Sequence, residues 1–422
     1  MTYPLTFPTH LFPSLPLPMS SAALLGFVLV IGLIGGQLFR RVLKVPIIGF
    51  IMTGVLLGQS GFNLIIPEIL DSMRIFVDVS VGLILFEAGR RVDLHCLLRE
   101  RWLLSTGIAE SMLSFLLMFL TLQWFGLNPL LAAMGSAIGV CTSPAVLLHV
   151  SRDLRAEGQV TERALSLVAI NSAFAFFLFT LSLSYLHLEH TSDLYTVVLH
   201  PLYLLVGSVA LSWAMSRGTL KLCRWLGRRE ELQFILLIGM MLLTTGIANQ
   251  FKLPVLLTLL LLGMMSRTMD RGRFMTAVDF GPAGQLCYVV LFVYAGTTLM
   301  LSRFVDVLGI AAAFIAVRFA AKSLMVMLFS RFSGITVKQA GLLCISLLPM
   351  SGVAIVMVQS ATTIYPDFGT RLSLVILAAV AILDLIGPFA AQFSLKQAGE
   401  ASPALSGSKV APARRSDEIA GI

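Results

Sequence analysis

The chain has 422 residues, of which 57% are hydrophobic and only 12% charged, and its mean hydropathy is +0.90. A soluble domain with so little charge would have no surface to offer to water, so the composition describes a polytopic membrane protein. The formal net charge of +8 is then a topology signal rather than a sign of nucleic acid, because what counts is where Lys and Arg fall relative to the spans.

In chain order, residues 1–19 form a flexible lead with five prolines and no basic segment, a poor secretory signal. Apolar stretches able to cross roughly 30 Å of hydrocarbon follow at 20–38, 45–59, 75–90, 102–122, 129–150, 163–186, 194–214, 231–250, 253–266, 281–301, 304–330, 337–359 and 371–394. Thirteen spans put the two ends on opposite sides, and the basic residues should then alternate between rich and poor loops. One side holds Arg40, Arg41 and Lys44, then Arg90, Arg91, Arg99 and Arg101, then Arg152, Arg155 and Arg163, and the basic runs after 214, 266, 330 and 394. The other side holds Arg74, Lys252, Arg303 and Arg371, while Arg318 and Lys322 lie inside a span. The positive-inside rule therefore predicts an outer N-terminus and a cytoplasmic C-terminus. The tail 395–422, rich in Ala, Ser and Pro, is expected to be disordered.

Two spans carry breaks. GVCTSPAVLLHV (139–150) sets Thr142, Ser143 and Pro144 in mid-span, and LLPMSGVAIVMV (347–358) does the same with Pro349, Ser351 and Gly352. A lone proline is tolerated as a kink, but breaks in both halves point to a transporter built from repeats, whose unwound segments meet near the midplane. With the first span set aside, two six-span units run over 45–214 and 231–394, and the breaks then fall one place out of register.

The five cysteines lie in spans or on the basic side, so no disulfide framework is implied. His187 and His190 share an outer loop, but two imidazoles do not complete a metal site, so no metal is expected. Neither a phosphate loop, a Ser-His-Asp arrangement nor a His-Glu-x-x-His helix is present, so neither an enzyme nor a cofactor is expected.

The ordered set VGLILFEAGRRVDL (81–94), CTSPAVLLHV, ALSLVAINSAFAFFLFTL (164–181), LFVYAGTTL (291–299), RFAAKSLMV (318–326) and LLPMSGVAIVMV resembles the monovalent cation:proton antiporters of the sodium/hydrogen exchanger superfamily, in its thirteen-span, Kef-like branch. The resemblance implies an all-α fold over 20–394 with inverted repeats and two broken crossing helices. It implies exchange of Na⁺ or K⁺ for H⁺ in the cell inner membrane, and a homodimer paired through the non-transporting helices. By position, Thr142 and Ser143 match the first crossing helix, Ser351 the second, Lys322 the basic residue near the crossing, and Asn171 with Ser172 the ion-site pair.

That pair departs from the family, whose second member is an aspartate that holds cation and proton in turn. Ser172 can ligate but cannot titrate, and exchange by competition needs a carboxylate. Counted from the cytoplasmic span ends, Glu110, Thr142, Asn171 and Lys322 all lie about 12 Å deep at 1.5 Å per residue. Deep charges are rare and face a protein interior or a wet cavity, so Glu110 is the candidate acid, with Lys322 or Arg318 as its partner. Asp384 is a second deep acid. Glu87, close to Arg90 and Arg91, is placed to snorkel to the interface. A structural ion pair that locks helices together is the alternative role for Glu110, and small polar residues such as Asn171 and Ser172 also simply pack between membrane helices. A non-transporting or altered-specificity membrane module on the same fold is the alternative function.

Overall fold

The structure, a computed structural model, describes residues 21–401 apart from 44, 59, 63, 65–66, 91, 189–193, 228, 271–274, 276–280, 298–306, 351–352 and 365–369. It is all-helical. The helices are α1 (Ser21–Leu43), α2 (Pro46–Leu57), α3 (Pro67–Arg90), α4 (Leu94–Arg99), α5 (Arg101–Trp124), α6 (Pro129–Val140), α7 (Pro144–Asp153) and α8 (Gln159–Leu188). They continue with α9 (Leu194–Leu226), α10 (Glu230–Gln250), α11 (Val255–Met269), α12 (Gly281–Thr297), α13 (Leu308–Ser330), α14 (Val337–Ser346), α15 (Val353–Ile364) and α16 (Thr370–Gln397). Among the described residues seven helices are long and apolar enough to cross a membrane unaided, from α1, α5, α8, α9, α10, α13 and α16. The other expected spans are short apolar helices, the helix pairs α6/α7 and α14/α15, and α3.

Both breaks are helix junctions, and local chemistry explains the first in full. Asn128 caps α6 through Leu130 N–H at 3.0 Å, with Pro129 at the first helical position. The helix stops at Cys141, whose backbone is extended. Ser143 then accepts Val146 N–H at 3.2 Å and Pro144 opens α7. A proline at that position gives up a donor with no helical partner anyway, so Pro144 starts a helix rather than bending one. On the far side a capping box between Thr336 and Gln339 opens α14, which ends after Ser346.

The packing corrects the repeat. Exchanging α1, α2, α3, α5, α6/α7 and α8 for α10, α11, α12, α13, α14/α15 and α16 carries the principal contacts onto one another. Helix α2 packs on α12 as α3 packs on α11, α5 packs on α13, and α5–α6–α8 has its counterpart in α13–α14–α16. The break then falls in the fifth span of each unit. The first span belongs to the repeat after all, and α9 is the surplus helix between units. Hydropathy alone does not tie α1 to the repeat; its packing on α2 and α12 does.

The panel made by α2, α3, α11 and α12 closes through glycine. A Cβ on Gly54 would strike Val293 O and one on Gly296 would strike Ile51 O; likewise Gly89 abuts Leu260 O and Gly263 abuts Phe86 O. These are two repeat-related approaches of backbone to backbone, the small-residue packing that membrane helices favour.

The ordered chain also runs past 395. Helix α16 continues to Gln397, and the Glu400 carboxylate accepts Val160 N–H and Thr161 N–H, each at 2.8 Å, at the start of α8. The lead 1–19 and the tail beyond 401 lie outside the described residues, as does His190; nothing is described of the His187 side chain.

Candidate functional site

The two junctions cross. Thr142 and Met350 form an antiparallel β-bridge, and Ser143 N–H donates to Pro349 O at 3.1 Å. Helices α6 and α14 both end here with carbonyl oxygens that lack helical partners. One side chain collects them. Arg318 of α13, 1% exposed, donates from Nε to Gly139 O at 2.7 Å, from Nη1 to Leu348 O at 2.8 Å, and from Nη2 to Cys141 O at 3.1 Å and Pro349 O at 3.3 Å. Nη2 also reaches Thr142 Oγ1 at 3.4 Å. The planar fork suits this work, since it offers five donors in fixed directions and keeps its charge. The negative ends of two half-helix dipoles thus share one built-in cation.

One turn along α13, Lys322 Nζ lies 3.3 Å from Glu110 Oε2 of α5; their side chains are 2% and 0% exposed. Glu110 Oε1 is buried and has no hydrogen-bond partner. Beside Glu110, Ser111 Oγ donates to Asn171 Oδ1 at 3.0 Å, and Asn171 Nδ2 donates to Thr142 Oγ1 at 3.3 Å. A chain of contacts therefore links α5, α8 and the first junction. Ser172, fully buried, donates to Val168 O one turn back at 2.8 Å and lies 3.7 Å from Cys141 Sγ.

The sequence-predicted residues sort as follows. Glu110 meets Lys322, and Asn171 meets Thr142, the two pairs being joined by the chain neighbours Glu110 and Ser111. Arg318 is not the partner of Glu110: its guanidinium is taken by the junction carbonyls, and the i to i+4 spacing that puts both cations on one face leaves Lys322 for the carboxylate. Ser143 lies at the crossing with its hydroxyl engaged as the cap of α7, and Ser351 lies outside the described residues. Glu87 does not snorkel: it is 5% exposed and meets Arg152 Nη2 at 2.7 Å. The missed groups are backbone carbonyls, which carry no residue signature, and Ser111, which has one. A-E-S at 109–111 and A-K-S at 321–323 are the same place in the two repeats.

Among the described residues no cluster of three or more His, Cys, Asp or Glu could hold a metal, and Cys141, Cys223, Cys287 and Cys344 are buried and form no disulfide with one another. A cavity of about 540 Å³ is walled by α1, α2, α7 and α12 and lined among others by Gln37, Arg40, Phe50, His149, Arg152 and Tyr288.

Two half-helices meeting in extended segments, with buried charge at the crossing and repeats exchanged on themselves, define a secondary transporter of the discontinuous-helix kind. The chain belongs to the family described as sodium/hydrogen exchanger, transmembrane, which matches residues 19–395. No curated protein matches it. Among solved structures, the fold is similar to the sodium proton antiporter MjNhaP1 from Methanocaldococcus jannaschii at pH 8, at TM-score 0.71 and 16% identity, covering 89% of this chain and 98% of that one. An electron-microscopy structure of the same antiporter matches at the same TM-score and identity over 91% and 99%. Family and fold together support cation:proton antiport.

Proposed function

We propose that the protein exchanges Na⁺ or K⁺ for protons across the cell inner membrane, using the crossing as its ion site. The observation that carries the reading is the buried cluster in which the Glu110–Lys322 pair adjoins Asn171 and Thr142 through Ser111. A carboxylate with one oxygen on an ammonium and the other unpartnered can take a proton or a metal ion in competition, and the amide and hydroxyl oxygens alongside can complete a monovalent cation's shell. Ser172 serves as a neutral ligand, reached by rotating its hydroxyl off Val168 O. Arg318 keeps the junctions open in both states because its donors hold backbone, not cargo.

The basic loops favour an outer N-terminus, a cytoplasmic C-terminus and thirteen crossings. A homodimer paired through the non-transporting helices is proposed on family resemblance.

The test is cation-dependent proton movement in everted vesicles with Na⁺, K⁺ and Li⁺ over a range of pH. The reading requires exchange with one of these cations and its loss in Glu110→Gln. Wild-type vesicles without exchange would overturn it in favour of a non-transporting module.

A further inference from the structure

Ser172 of the first repeat is a neutral hydroxyl, and an acid stands at the matching place of the second. The register between repeats is set by two contacts on the pseudo-symmetry axis, where a residue meets its own counterpart: Glu110 with Lys322, and Thr142 with Met350. The sequence agrees at both, with A-E-S against A-K-S and T-S-P against M-S-G. In the next helix the offset of the axis pair, 322−110=212 residues, aligns V-A-I-N-S of α8 (168–172) with V-A-I-L-D of α16 (380–384). The shared V-A-I selects it over the 350−142=208 offset of the junction, which differs by about one helical turn. Asp384 thus stands in α16 where Ser172 stands in α8, and Leu383 where Asn171 stands.

The hydrogen bonding follows the same exchange. Ser111 donates to Asn171, whereas in the second repeat Leu383 stands where the asparagine would, and Ser323, the counterpart of Ser111, adjoins Cys344 of α14 instead, with Cys344 Sγ 3.8 Å from Ser323 O. Asp384 is 2% exposed, and its Oδ1 is buried without a hydrogen-bond partner. One turn on, Gly387 packs directly against Pro349 of the second junction, close enough that a Cβ would touch the proline ring and its Cα. Residues i and i+3 share a helix face, so Asp384 lies on the side of α16 that meets the crossing. A carboxyl group is not kept in such a place without compensation unless it takes up a proton or a cation.

We propose that Asp384 is a second ion-site carboxylate beside Glu110: it stands in α16 at the repeat-related place of Ser172, and it takes a monovalent cation and a proton in turn from the second-repeat side of the crossing. The proposal deepens the exchange reading and rests on it. It divides the labour between two acids. Glu110 works with one oxygen on Lys322, and Asp384, whose Oδ1 has no partner, binds and releases cargo from the other side.

The experiment uses the full chain in vesicles. A hydrophobic carbodiimide, which attacks a protonated carboxyl group, is added with and without Na⁺ or K⁺, and the modified residue is mapped by mass spectrometry. Cation should slow labelling of Asp384 severalfold. Asp384→Asn should lower exchange by about tenfold or more, the size expected for a lost charged ligand, and Ser172→Asp added to Asp384→Asn should restore it by supplying an acid from α8. Labelling of Asp384 that neither cation alters, or Asp384→Asn exchange within about twofold of wild type, would overturn the proposal. If Asp384→Asn does not fold, the labelling of wild type decides. Cation protection of Asp384 in vesicles that show no exchange would leave this site standing and remove the antiport reading instead.

Discussion

The two repeats share a backbone and differ in charge. In the first, the three deep positions of α5, the junction and α8 are Glu110, Thr142 and Asn171–Ser172; in the second they are Lys322, Met350 and Leu383–Asp384. An acid faces a base on the axis, a hydroxyl faces a thioether, and an amide–hydroxyl pair is matched by a leucine and an acid. A symmetric frame needs only matched helix lengths, capped junctions and close glycine contacts. Transport needs a site with one sign of charge to offer, and that requires the copies to diverge. Arg318 shows the same division: one guanidinium from one repeat holds the free carbonyls of both, with no arginine at the facing position in α5, where Thr106 stands four residues before Glu110.

The largest effect should come from removing that shared support. Arg318→Met removes the donor from the buried Gly139, Cys141 and Leu348 carbonyls and leaves Pro349 O with only Ser143 N–H. At about 1–3 kcal/mol for each unsatisfied group, and with partial relaxation, a loss of about 4 kcal/mol or more follows. Thermal unfolding in mild detergent measures it. Arg318→Lys keeps the charge but not the fork, and should recover less than half of the loss.

Next comes the axis pair. Glu110→Lys or Lys322→Glu alone buries two like charges side by side, and breaking a buried pair costs about 3–5 kcal/mol. The double swap restores an opposite pair at positions that are repeat equivalents, so it should recover most of the stability of the wild type. Exchange should not recover, because the swapped carboxylate would lie in α13, away from Ser111 and Asn171. A double swap as unstable as either single variant would break the equivalence of α5 and α13.

The glycine contacts sharpen the comparison on its symmetric side. Gly54→Val and Gly263→Val occupy corresponding helices and meet backbone oxygen on their partners, Val293 O and Phe86 O. Overpacking costs about 1–3 kcal/mol, and the two losses should agree within about 0.5 kcal/mol if the copies are mechanically equal, the scatter usual for independent sites.

Most of this frame is legible in the sequence. The long apolar helices and both junctions follow from hydropathy and the prolines, and helical rise gives Glu110, Thr142, Asn171 and Lys322 a similar expected depth. What depth leaves open is azimuth, and azimuth decided that Lys322 rather than Arg318 meets Glu110. The carbonyls that hold Arg318 have no side-chain signature at all. The repeat was legible but hidden by the choice of unit: A-E-S against A-K-S, and V-A-I-N-S against V-A-I-L-D, are short matches that acquire meaning only when contacts fix the register. Glu87 illustrates a further limit, since its nearest basic residues in sequence, Arg90 and Arg91, say nothing of Arg152 from another helix.

The smallest expected effect lies at a joint between the copies. Glu400, three residues beyond α16, accepts both Val160 and Thr161 N–H at 2.8 Å and Thr161 Oγ1–H at 2.7 Å, and so caps the first turn of α8 with a carboxylate from the other repeat. Negative charge at a helix N-terminus is stabilising, and the loss of a cap typically costs about 1 kcal/mol. Glu400→Gln keeps one acceptor oxygen and loses the charge; Glu400→Ala loses both. The expected order of stability is wild type, then Gln, then Ala, across a total of about 1–2 kcal/mol, with exchange rates little changed because the cap lies about twelve residues, or roughly 18 Å of helix, from Asn171. Were Glu400→Ala to abolish exchange at unchanged stability, the cap would be a coupling between the copies that carries motion, and the division between a symmetric frame and asymmetric chemistry would not hold at this joint.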